Sequence, residues 1–563
     1  MLFGLLIQSD LKYSEDIFNF TRGRFVCDEA YEMSQRHVRF NVNELARLAA
    51  QAVGAKSCIS ISKYPDGMYN KAMLLTMNND TQVVAKVPNP NAGKVHFTTA
   101  SEVATMDFEL LFLRSFFAWS SKAQENSVGA EYIIMEKVPG IELESVWPSM
   151  KIEDRLAVVK AIASFQKAWT SVSFKKFGAL YYAQDLDERI GNEPLYVDAN
   201  GVEVKDARFT IGPSTGRVSI DNRRATINFD RGPWDTLEEY HTAIGLREIA
   251  CVGQLSRLPK SPLTLCGPGT YQPSREKKLH ALNCYLKLIK FLLPTDRSIA
   301  SSHLWHGDLH VANIVVNPSK HTEIVGIIDW QSTELSPLYF HARQPTIINY
   351  HGPRFHGLER PQPPKDTEQL DPNAKKHAEA LYLKQSLCSL YNTLTHHQNP
   401  RLYAALGFQQ TTSHLLLSLA RYLLVDGEAA YLLQIAELEA TWSSLPSAQN
   451  SAYPFSFSAE ELRELEADVE GGLRGMDAMR SIRECIGELF PEKGIVKADQ
   501  YEEALDALEQ MRDQVIEEFA TSEQEKENNG ISVLIIYSFI EILWKISLNE
   551  ALIESTVNAP AHI

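Results

Sequence analysis

Asp308 and Asn313 belong to a short segment, His-Gly-Asp-Leu-His-Val-Ala-Asn at 306–313, whose residue types and spacing predict phosphoryl transfer. An apolar stretch follows and ends at Asp329. In that chemistry an aspartate accepts the proton of the attacking hydroxyl, and an asparagine five residues later binds Mg²⁺ together with a second aspartate. The pattern predicts Asp308 as the catalytic residue and Asn313 and Asp329 as the metal ligands.

A hairpin is predicted between the two metal ligands, because two apolar segments flank the turn-forming residues 317–320. An antiparallel hairpin brings its two ends together, so we expect Asn313 and Asp329 to lie side by side. Their amide and carboxylate oxygens suit Mg²⁺, which prefers oxygen ligands. The alternative is that Asp308 is a turn residue, Asn313 a cap and Asp329 a strand end. The occurrence of all three at this spacing makes that alternative the weaker explanation.

Lys86 and Glu102 form the second candidate group. Lys86 lies near the end of a predicted strand at 81–87, and Glu102 lies in the first turn of a helix that we expect to begin at Ser101, its N-cap. A strand lysine held by a helix glutamate would point at the α- and β-phosphates of a nucleotide. The alternative is a solvated lysine and a glutamate favoured by the helix dipole.

These motifs together resemble the aminoglycoside phosphotransferase and choline kinase superfamily, in which Ile-Asp-Trp, here at 328–330, replaces the Asp-Phe-Gly of protein kinases. Residues 18–24, 99–108 and 327–331 are similar to the fungal group that includes altered inheritance of mitochondria protein 9. The resemblance implies an α+β, two-lobed, protein-kinase-like fold with an antiparallel small lobe and a mainly helical large lobe. It also implies ATP and Mg²⁺ as cofactors and a small-molecule acceptor.

The resemblance further implies where a nucleotide would bind. A covering loop at 64–71 contains one glycine, Gly67, whose backbone could approach a phosphate. The apolar strand at 132–140 would be the hinge, with Met135 and Glu136 presenting backbone groups to adenine. The alternatives are an ordinary hairpin turn for the loop and a core strand for the hinge. Just before the hinge, a strand of the small lobe is either missing or rebuilt.

These anchors divide the chain into an N-terminal extension (1–45), the small lobe (46–140), the large lobe (141–440), an acidic helical appendage (441–527) and a tail with a short apolar segment (528–563). The large lobe contains an irregular insertion at about 183–235. In the superfamily such insertions shape the acceptor pocket, so Arg223, Arg224 and Arg231 are candidates for substrate contact. The alternative for each of them is an ordinary surface arginine.

Composition narrows the possible partners. The net charge of −16 argues against nucleic acid, so a phosphorylated ligand would need a local cation such as Lys86 with Mg²⁺. The seven cysteines are scattered without a Cys-x-x-Cys motif, which favours a reducing compartment and no structural zinc.

His306 and His310 lack a third metal ligand, and His306 is expected to anchor the catalytic loop. The apolar block at 531–543 is short and contains Glu541, so no stable membrane span is expected.

Three functions remain open from the sequence. The first is an ATP- and Mg²⁺-dependent phosphotransferase that acts on an unidentified small-molecule hydroxyl. The second is a kinase-like pseudoenzyme or scaffold with a mitochondrial role. A protein kinase is the weakest, because Trp330 and Gln331 replace Phe-Gly. The resemblance implies a mitochondrial location, whereas residues 1–20 lack the arginines of a transit peptide, so the cytoplasm is the alternative.

Overall fold

A computed structural model describes residues 12–108, 116–186, 193–261, 263–266, 269–348, 358–364, 368, 370–449 and 451–519. These residues form two lobes and a C-terminal helical module. The sheet of one lobe is antiparallel, and helices dominate the other. The predicted α+β, two-lobed arrangement with a helical C-terminal region is therefore confirmed.

The small lobe comprises the strands β1 (Arg24–Phe25), β2 (Cys58–Lys63), β3 (Asn70–Met77), β4 (Gln82–Pro88), β5 (Phe116–Ser120) and β6 (Tyr132–Glu136), with the helices α1 (Glu29–Ser34), α2 (Val42–Ala52) and α3 (Phe97–Phe108). An antiparallel sheet contains five of these strands in the order β2-β3-β4-β6-β5. In β3, alternate residues such as Met73 and Leu75 are buried, as a strand with one covered face requires. Leu45 of α2 belongs to the same core. The strand before the hinge is present as β5 and pairs with β6, so the structure excludes the first of the two alternatives, a missing strand, and leaves the second, a rebuilt one.

The described part of the predicted N-terminal extension packs into the small lobe. Ile17, Phe18 and Phe40 are buried in the same core as Met73. The rings of Phe18 and Phe40 meet edge to face with their centroids 5.3 Å apart. Residues 12–45 are therefore part of the small lobe instead of a separate extension.

The large lobe contains the helices α4 (Leu143–Val146), α5 (Ile152–Ser171), α6 (Leu237–Gln254), α7 (Arg275–Leu292), α8 (Arg297–Ala300), α9 (Leu338–His341), α10 (Pro372–Gln398), α11 (Pro400–Phe408), α12 (Thr412–Leu419) and α13 (Glu428–Thr441). Its short strands are β7 (Ile141–Glu142), β8 (Ser173–Phe174), β9 (Ala179–Tyr182), β10 (Tyr196–Val197), β11 (Glu203–Val204), β12 (Phe209–Gly212), β13 (Ser302–Leu304), β14 (Ile314–Asn317), β15 (Lys320–Ile327) and β16 (Leu335–Pro337). β14 and β15 form the predicted hairpin, in which Ile314 pairs with Ile327, and β7 adds a third strand. Trp330, which follows the hairpin, is fully buried in the core of this lobe.

The insertion contacts both lobes. Its strand β12 pairs with β9 of the large lobe along its whole length. On the other side, Arg208 of the insertion forms an ion pair with Asp107 of α3 at 3.4 Å. Tyr181, which lies just before the insertion, meets Phe97 of α3 edge to face. The insertion was predicted to lie over the large lobe. That prediction is incomplete, because the insertion also packs against α3 of the small lobe.

The C-terminal module consists of α14 (Ala459–Ile486), β17 (Ile495–Val496) and α15 (Tyr501–Phe519). Ile482 and Leu508 share a separate buried core with Val26 from the N-terminal segment. β17 pairs antiparallel with β1, and Gly23 permits this approach, since a Cβ atom there would lie 2.3 Å from the carbonyl oxygen of Val496. The module predicted as a solvated appendage thus packs against the N-terminal segment.

Residues 528–563, which include the apolar block at 531–543, lie outside the described residues. Among the helices of the described ranges, none combines the length and the apolar character needed to cross a bilayer.

Candidate active site

Lys86 lies at the junction of the two lobes. Its Nζ donates to Oε1 of Glu102 at 2.6 Å and to Oδ1 of Asp329 at 2.8 Å. Burial opposes the charge on this lysine, but the two carboxylates outweigh burial and raise the pKa of Lys86. Burial also opposes the ionisation of Asp329, and Lys86 reverses this effect and lowers the pKa of Asp329. The three groups therefore form a charged network that joins β4, α3 and the end of the catalytic hairpin.

Helix α3 begins at Phe97, four residues before the predicted start at Ser101, so Glu102 lies in its second turn instead of its first. The carboxylate of Glu131 accepts hydrogen bonds from the backbone of His96 at 2.8 Å and from the hydroxyl of Thr99 at 2.5 Å. A residue distant in sequence thus binds the N-terminus of the helix. Capping patterns describe only residues next to the helix, so they could not predict this start.

The catalytic loop is held against the hairpin. Nε2 of His306 hydrogen-bonds to the carbonyl of Ile328 at 3.0 Å, and burial lowers the pKa of His306, so we assign a neutral ring that donates from Nε2. The ring of Trp330 packs against His306 at 4.7 Å. The backbone N–H of Ile328 donates to the carbonyl of Asn313 at 2.9 Å. The predicted metal ligands Asn313 and Asp329 are consequently neighbours, as the hairpin geometry required.

The oxygens of Asn313 and Asp329 fit a hard divalent cation. Nδ2 of Asn313 donates to the carbonyl of Asp308 at 2.9 Å, which leaves its Oδ1 as an acceptor. Asp329 adopts a left-handed backbone with φ of 64°, and its side chain remains 43% exposed with Oδ2 available. The described residues contain no cluster of three or more histidine, cysteine or acidic ligands. Two oxygen ligands suit Mg²⁺, which commonly takes its other ligands from water and phosphates.

Asp308 presents its carboxylate to the cleft, where its side chain is 62% exposed. Nε2 of His310 lies 3.5 Å from its Oδ2, and this contact holds the pKa of Asp308 below its usual range and raises the pKa of His310. Nδ1 of His310 accepts from the backbone N–H of Ala312 at 3.2 Å, and Nε2 also lies 3.2 Å from Nδ2 of Asn313. Asp308 is therefore ionised at neutral pH and oriented by its neighbour.

The covering loop between β2 and β3 is anchored by Asp66, which the sequence analysis did not identify. Its buried carboxylate accepts from the backbone and the hydroxyl of Thr21, both at 2.8 Å, and from Nζ of Lys63 at 2.5 Å. In the sequence, an aspartate beside a glycine indicates a turn. The contacts of Asp66 with Thr21 and Lys63 could therefore not be predicted. The role of Gly67 at a phosphate stays a prediction.

Two further residues tie the covering loop to the large lobe. Nδ2 of Asn70 donates to Oε1 of Gln331 at 2.5 Å, and the guanidinium of Arg217 lies 3.8 Å from the centre of the Tyr69 ring. Arg217 also donates to the carbonyl of Ala92 at 2.8 Å. Gln331 directly follows the Ile-Asp-Trp motif in the sequence. No feature of the sequence indicated a role for Arg217.

Met135 lies inside the small-lobe sheet, where it pairs with Val84 of β4 and Phe116 of β5. Its backbone therefore presents no free edge, which corrects its prediction as an adenine contact. Glu136 pairs with Val83 on one side, and no described residue pairs with it on the other. The free edge of the hinge thus begins at Glu136.

The structure gives internal partners to two of the three candidate arginines of the insertion. Arg224 is buried and forms a two-point ion pair with Glu248, at 2.6 and 3.0 Å. Arg231 donates to the carbonyls of Arg224 and Ile227, both at 3.2 Å. Substrate contact by these two is not supported, because both guanidinium groups of Arg224 and Arg231 already bind protein acceptors through their terminal nitrogens. Arg223 is exposed, and its role stays a prediction.

Residues 117–340 match a family model described as the phosphotransferase enzyme family. The chain carries a domain of that family. Lys86 and Glu102 precede the matched residues, whereas Asp308, Asn313 and Asp329 lie within them.

Proteins similar to this chain occur in fungi. A subtelomeric hrmA-associated cluster protein from Aspergillus fumigatus is 27% identical over 83% of this chain and 95% of that protein. The mitochondrial altered inheritance of mitochondria protein 9 of Clavispora lusitaniae is 24% identical over 80% of this chain and 83% of its own. A solved structure of a putative aminoglycoside phosphotransferase from Ralstonia eutropha covers 79% of this chain and 99% of its own, with 14% identity and a TM-score of 0.35. The family resemblance predicted from the motifs is confirmed.

Proposed function

We propose that this protein transfers the γ-phosphoryl group of ATP, with Mg²⁺, to a hydroxyl group of a small molecule. One observation carries the proposal, which is the convergence of Lys86, Asn313, Asp329 and the exposed carboxylate of Asp308 at one cleft. Phosphoryl transfer needs a cation on the phosphates, oxygen ligands for a metal and an oriented acceptor.

On the nucleotide side, Lys86 would bind the α- and β-phosphates while Glu102 fixes its direction. The covering loop with Gly67 would lie over the phosphates, and the backbone from Glu136 onward would bind adenine. Asn313 and Asp329 would hold Mg²⁺, which neutralises phosphate charge when bound.

On the acceptor side, Asp308 would bind the attacking hydroxyl and receive its proton. The contact of its Oδ2 with Nε2 of His310 at 3.5 Å and the anchoring of the loop by His306 support the position of this carboxylate. Most of the rate enhancement would come from positioning and charge neutralisation, since the protein itself forms no covalent bond.

A phosphorylation assay on a metabolite library tests the proposal. The full chain with Mg²⁺ and ATP should phosphorylate at least one hydroxyl compound, and the matched Asp308→Asn variant should not. Equal rates for the two proteins would exclude Asp308 as the catalytic residue.

A pseudoenzyme or scaffold is the second candidate function. The covering loop favours it, because Asp66 holds this loop from the N-terminal side and the loop contains one glycine. In a cell complementation assay, full rescue of a null allele by Asp308→Asn would support the scaffold and oppose the kinase.

The proposed location is the mitochondrion. Relatives named altered inheritance of mitochondria protein 9 carry that location in their names. Fractionation of cells that express the full chain tests this proposal, and recovery in the cytoplasm would favour the alternative.

A further inference from the structure

Residues 14–25, the N-terminal strap, are hydrogen-bonded to the covering loop at Asp66. Oδ2 of Asp66 accepts from the backbone N–H and the hydroxyl of Thr21, both at 2.8 Å. Nζ of Lys63, at the end of β2, donates to the same Oδ2 at 2.5 Å and to the carbonyl of Asn19 at 2.7 Å. The strap therefore binds the covering loop through a carboxylate of the loop and through the lysine that precedes it.

Lys71, at the other end of the loop, binds the same strap. Its Nζ donates to the carbonyl of Asn19 at 2.8 Å and lies 3.5 Å from Oδ1 of Asp66. The side chains of Lys71 and Asp66 are fully buried, and burial lowers the pKa of Lys71 to about 8. Buried charges are stable only in a geometry that satisfies all of them. The cluster therefore allows the covering loop few positions relative to the strap.

The strap is itself fixed at both ends. Ile17 and Phe18 are buried in the core of the small lobe. At the other end, β1 pairs with β17, and the guanidinium of Arg24 lies 3.5 Å from the centre of the Tyr501 ring. Arg24 also donates two hydrogen bonds of 2.8 Å to Glu29. The small-lobe core thus holds one end of the strap, and the C-terminal module holds the other.

The covering loop is also held from the large lobe. Asn70 donates to Gln331 at 2.5 Å, and Arg217 lies against the ring of Tyr69. The loop contains Gly67 as its one glycine, so its backbone has less freedom than a glycine-rich loop. A loop that is ordered before a ligand binds loses little conformational entropy on binding, whereas a free loop must be ordered at the expense of affinity.

We infer that the N-terminal strap positions the covering loop for the nucleotide phosphates, with Asp66 as its attachment point, and that the C-terminal module maintains this position by holding the strap. The inference rests on the proposed phosphotransferase function. Asp66 and Thr21 are then positioning residues, which act on the nucleotide through the loop. Loss of a strap contact should lower the fraction of molecules whose loop is ready to bind, and the apparent Kd for the nucleotide should rise in proportion.

Calorimetric titration of the full chain with AMP-PNP and Mg²⁺ measures this effect. Thr21→Val removes the hydroxyl contact with Asp66 and should raise Kd roughly 10-fold, the usual effect of losing one hydrogen bond to a charged group. Arg24→Met releases the far end of the strap without touching the loop and should raise Kd by a smaller factor, roughly 3-fold. Both variants keep the charges of Asp66 and Lys71, so the small lobe should still fold.

Two further variants serve as controls. Thr21→Ser keeps the hydroxyl and should retain the affinity of the wild type. Arg22→Met removes an exposed arginine from the same strap and should also leave Kd unchanged. Hydrogen exchange without nucleotide gives an independent measurement, because the covering loop should exchange faster in Thr21→Val and Arg24→Met than in either control.

Kinetics distinguish positioning from a purely structural contact. In Thr21→Val the KM for ATP should rise with Kd, while kcat at saturating ATP should stay within about 2-fold of the wild type. A purely structural contact would lower the free energy of unfolding and leave the KM for ATP unchanged.

The outcomes separate this inference from the proposed function. Wild-type affinity in both Thr21→Val and Arg24→Met would overturn the inference, and tighter binding would overturn it as well, since the strap would then hold the loop away from the nucleotide. A wild type that binds no AMP-PNP would defeat the proposed function and the inference with it. Nucleotide binding without phosphorylation of any acceptor would defeat the proposed function alone.

Discussion

On the proposed nucleotide side of the cleft, Lys86 lies between the carboxylates of Glu102 and Asp329. On the proposed acceptor side, the side chain of Asp308 is 62% exposed, and Nε2 of His310 lies 3.5 Å from its Oδ2. The first arrangement satisfies its own charges before a nucleotide binds. The second leaves a carboxylate accessible to a ligand, so the difference indicates a preassembled nucleotide side and an open acceptor side.

The largest expected effect separates binding on the nucleotide side from reaction on the acceptor side. Asp308→Asn keeps the shape of the side chain but cannot take the hydroxyl proton, so turnover should fall by roughly 10²–10⁴-fold. Affinity for ATP should stay nearly unchanged, because Asp308 does not belong to the Lys86 network. Steady-state kinetics and calorimetry measure the two quantities. A fall in ATP affinity as large as the fall in turnover would show that the two sides are not separable.

Removing a charge from each side compares their pairing directly. Lys86→Met leaves two carboxylates without their partner, and we expect a loss of about 3 kcal/mol in the free energy of unfolding. Asp308→Ala removes a carboxylate that is 62% exposed, so its unfolding free energy should stay within about 0.5 kcal/mol of the wild type. Urea unfolding at neutral pH measures both. Equal destabilisation by the two variants would contradict the contrast.

The metal dependence of nucleotide binding gives the next effect. Mg²⁺ with ATP should raise the melting temperature, since at 100 times Kd a ligand adds about 2.7 kcal/mol to the native state. Asp329→Ala removes one of the two predicted metal ligands and should reduce the part of this shift that depends on Mg²⁺. Thermal unfolding with ATP in EDTA is the control, and equal shifts with and without Mg²⁺ in the wild type would exclude the predicted metal site.

A smaller effect concerns pH and the large lobe behind the acceptor side. Burial and Arg421 lower the pKa of His414 from 6.5 to about 3. Below pH 6.5 the unfolded chain binds a proton at this position that the folded chain rejects until about pH 3, so stability falls as pH falls through this range. At pH 5 the loss from His414 should be about 2 kcal/mol.

Substitution isolates that contribution. His414→Gln should reduce the difference in unfolding free energy between pH 7 and pH 5 by the same amount, measured by urea unfolding. His377→Gln, at an exposed position on α10, is the matched control and should leave the difference unchanged. The same pH difference in His414→Gln as in the wild type would contradict the assignment.

Local spacing was sufficient to predict the hairpin of β14 and β15, because the predicted metal ligands flank two strands that are close in sequence. The two-lobed fold followed from the family resemblance. The start of α3 was missed since Glu131, which binds the helix N-terminus, lies far from Ser101 in the sequence.

The contacts of the insertion could not be predicted in the same way, because they depend on tertiary packing that no spacing rule records. The arginines of the insertion were chosen because the segment is irregular. Arg224 instead pairs with Glu248 inside the large lobe, where a buried guanidinium requires a partner.

The pairing of β1 with β17 sets an order for the synthesis of this protein. A nascent chain can complete the small-lobe sheet and the catalytic hairpin while β1 is still without its partner strand. Residues 495 and 496 must leave the ribosome before β1 can pair. On the ribosome, the small-lobe sheet and the hairpin can thus be complete before the C-terminal module packs against the N-terminal segment.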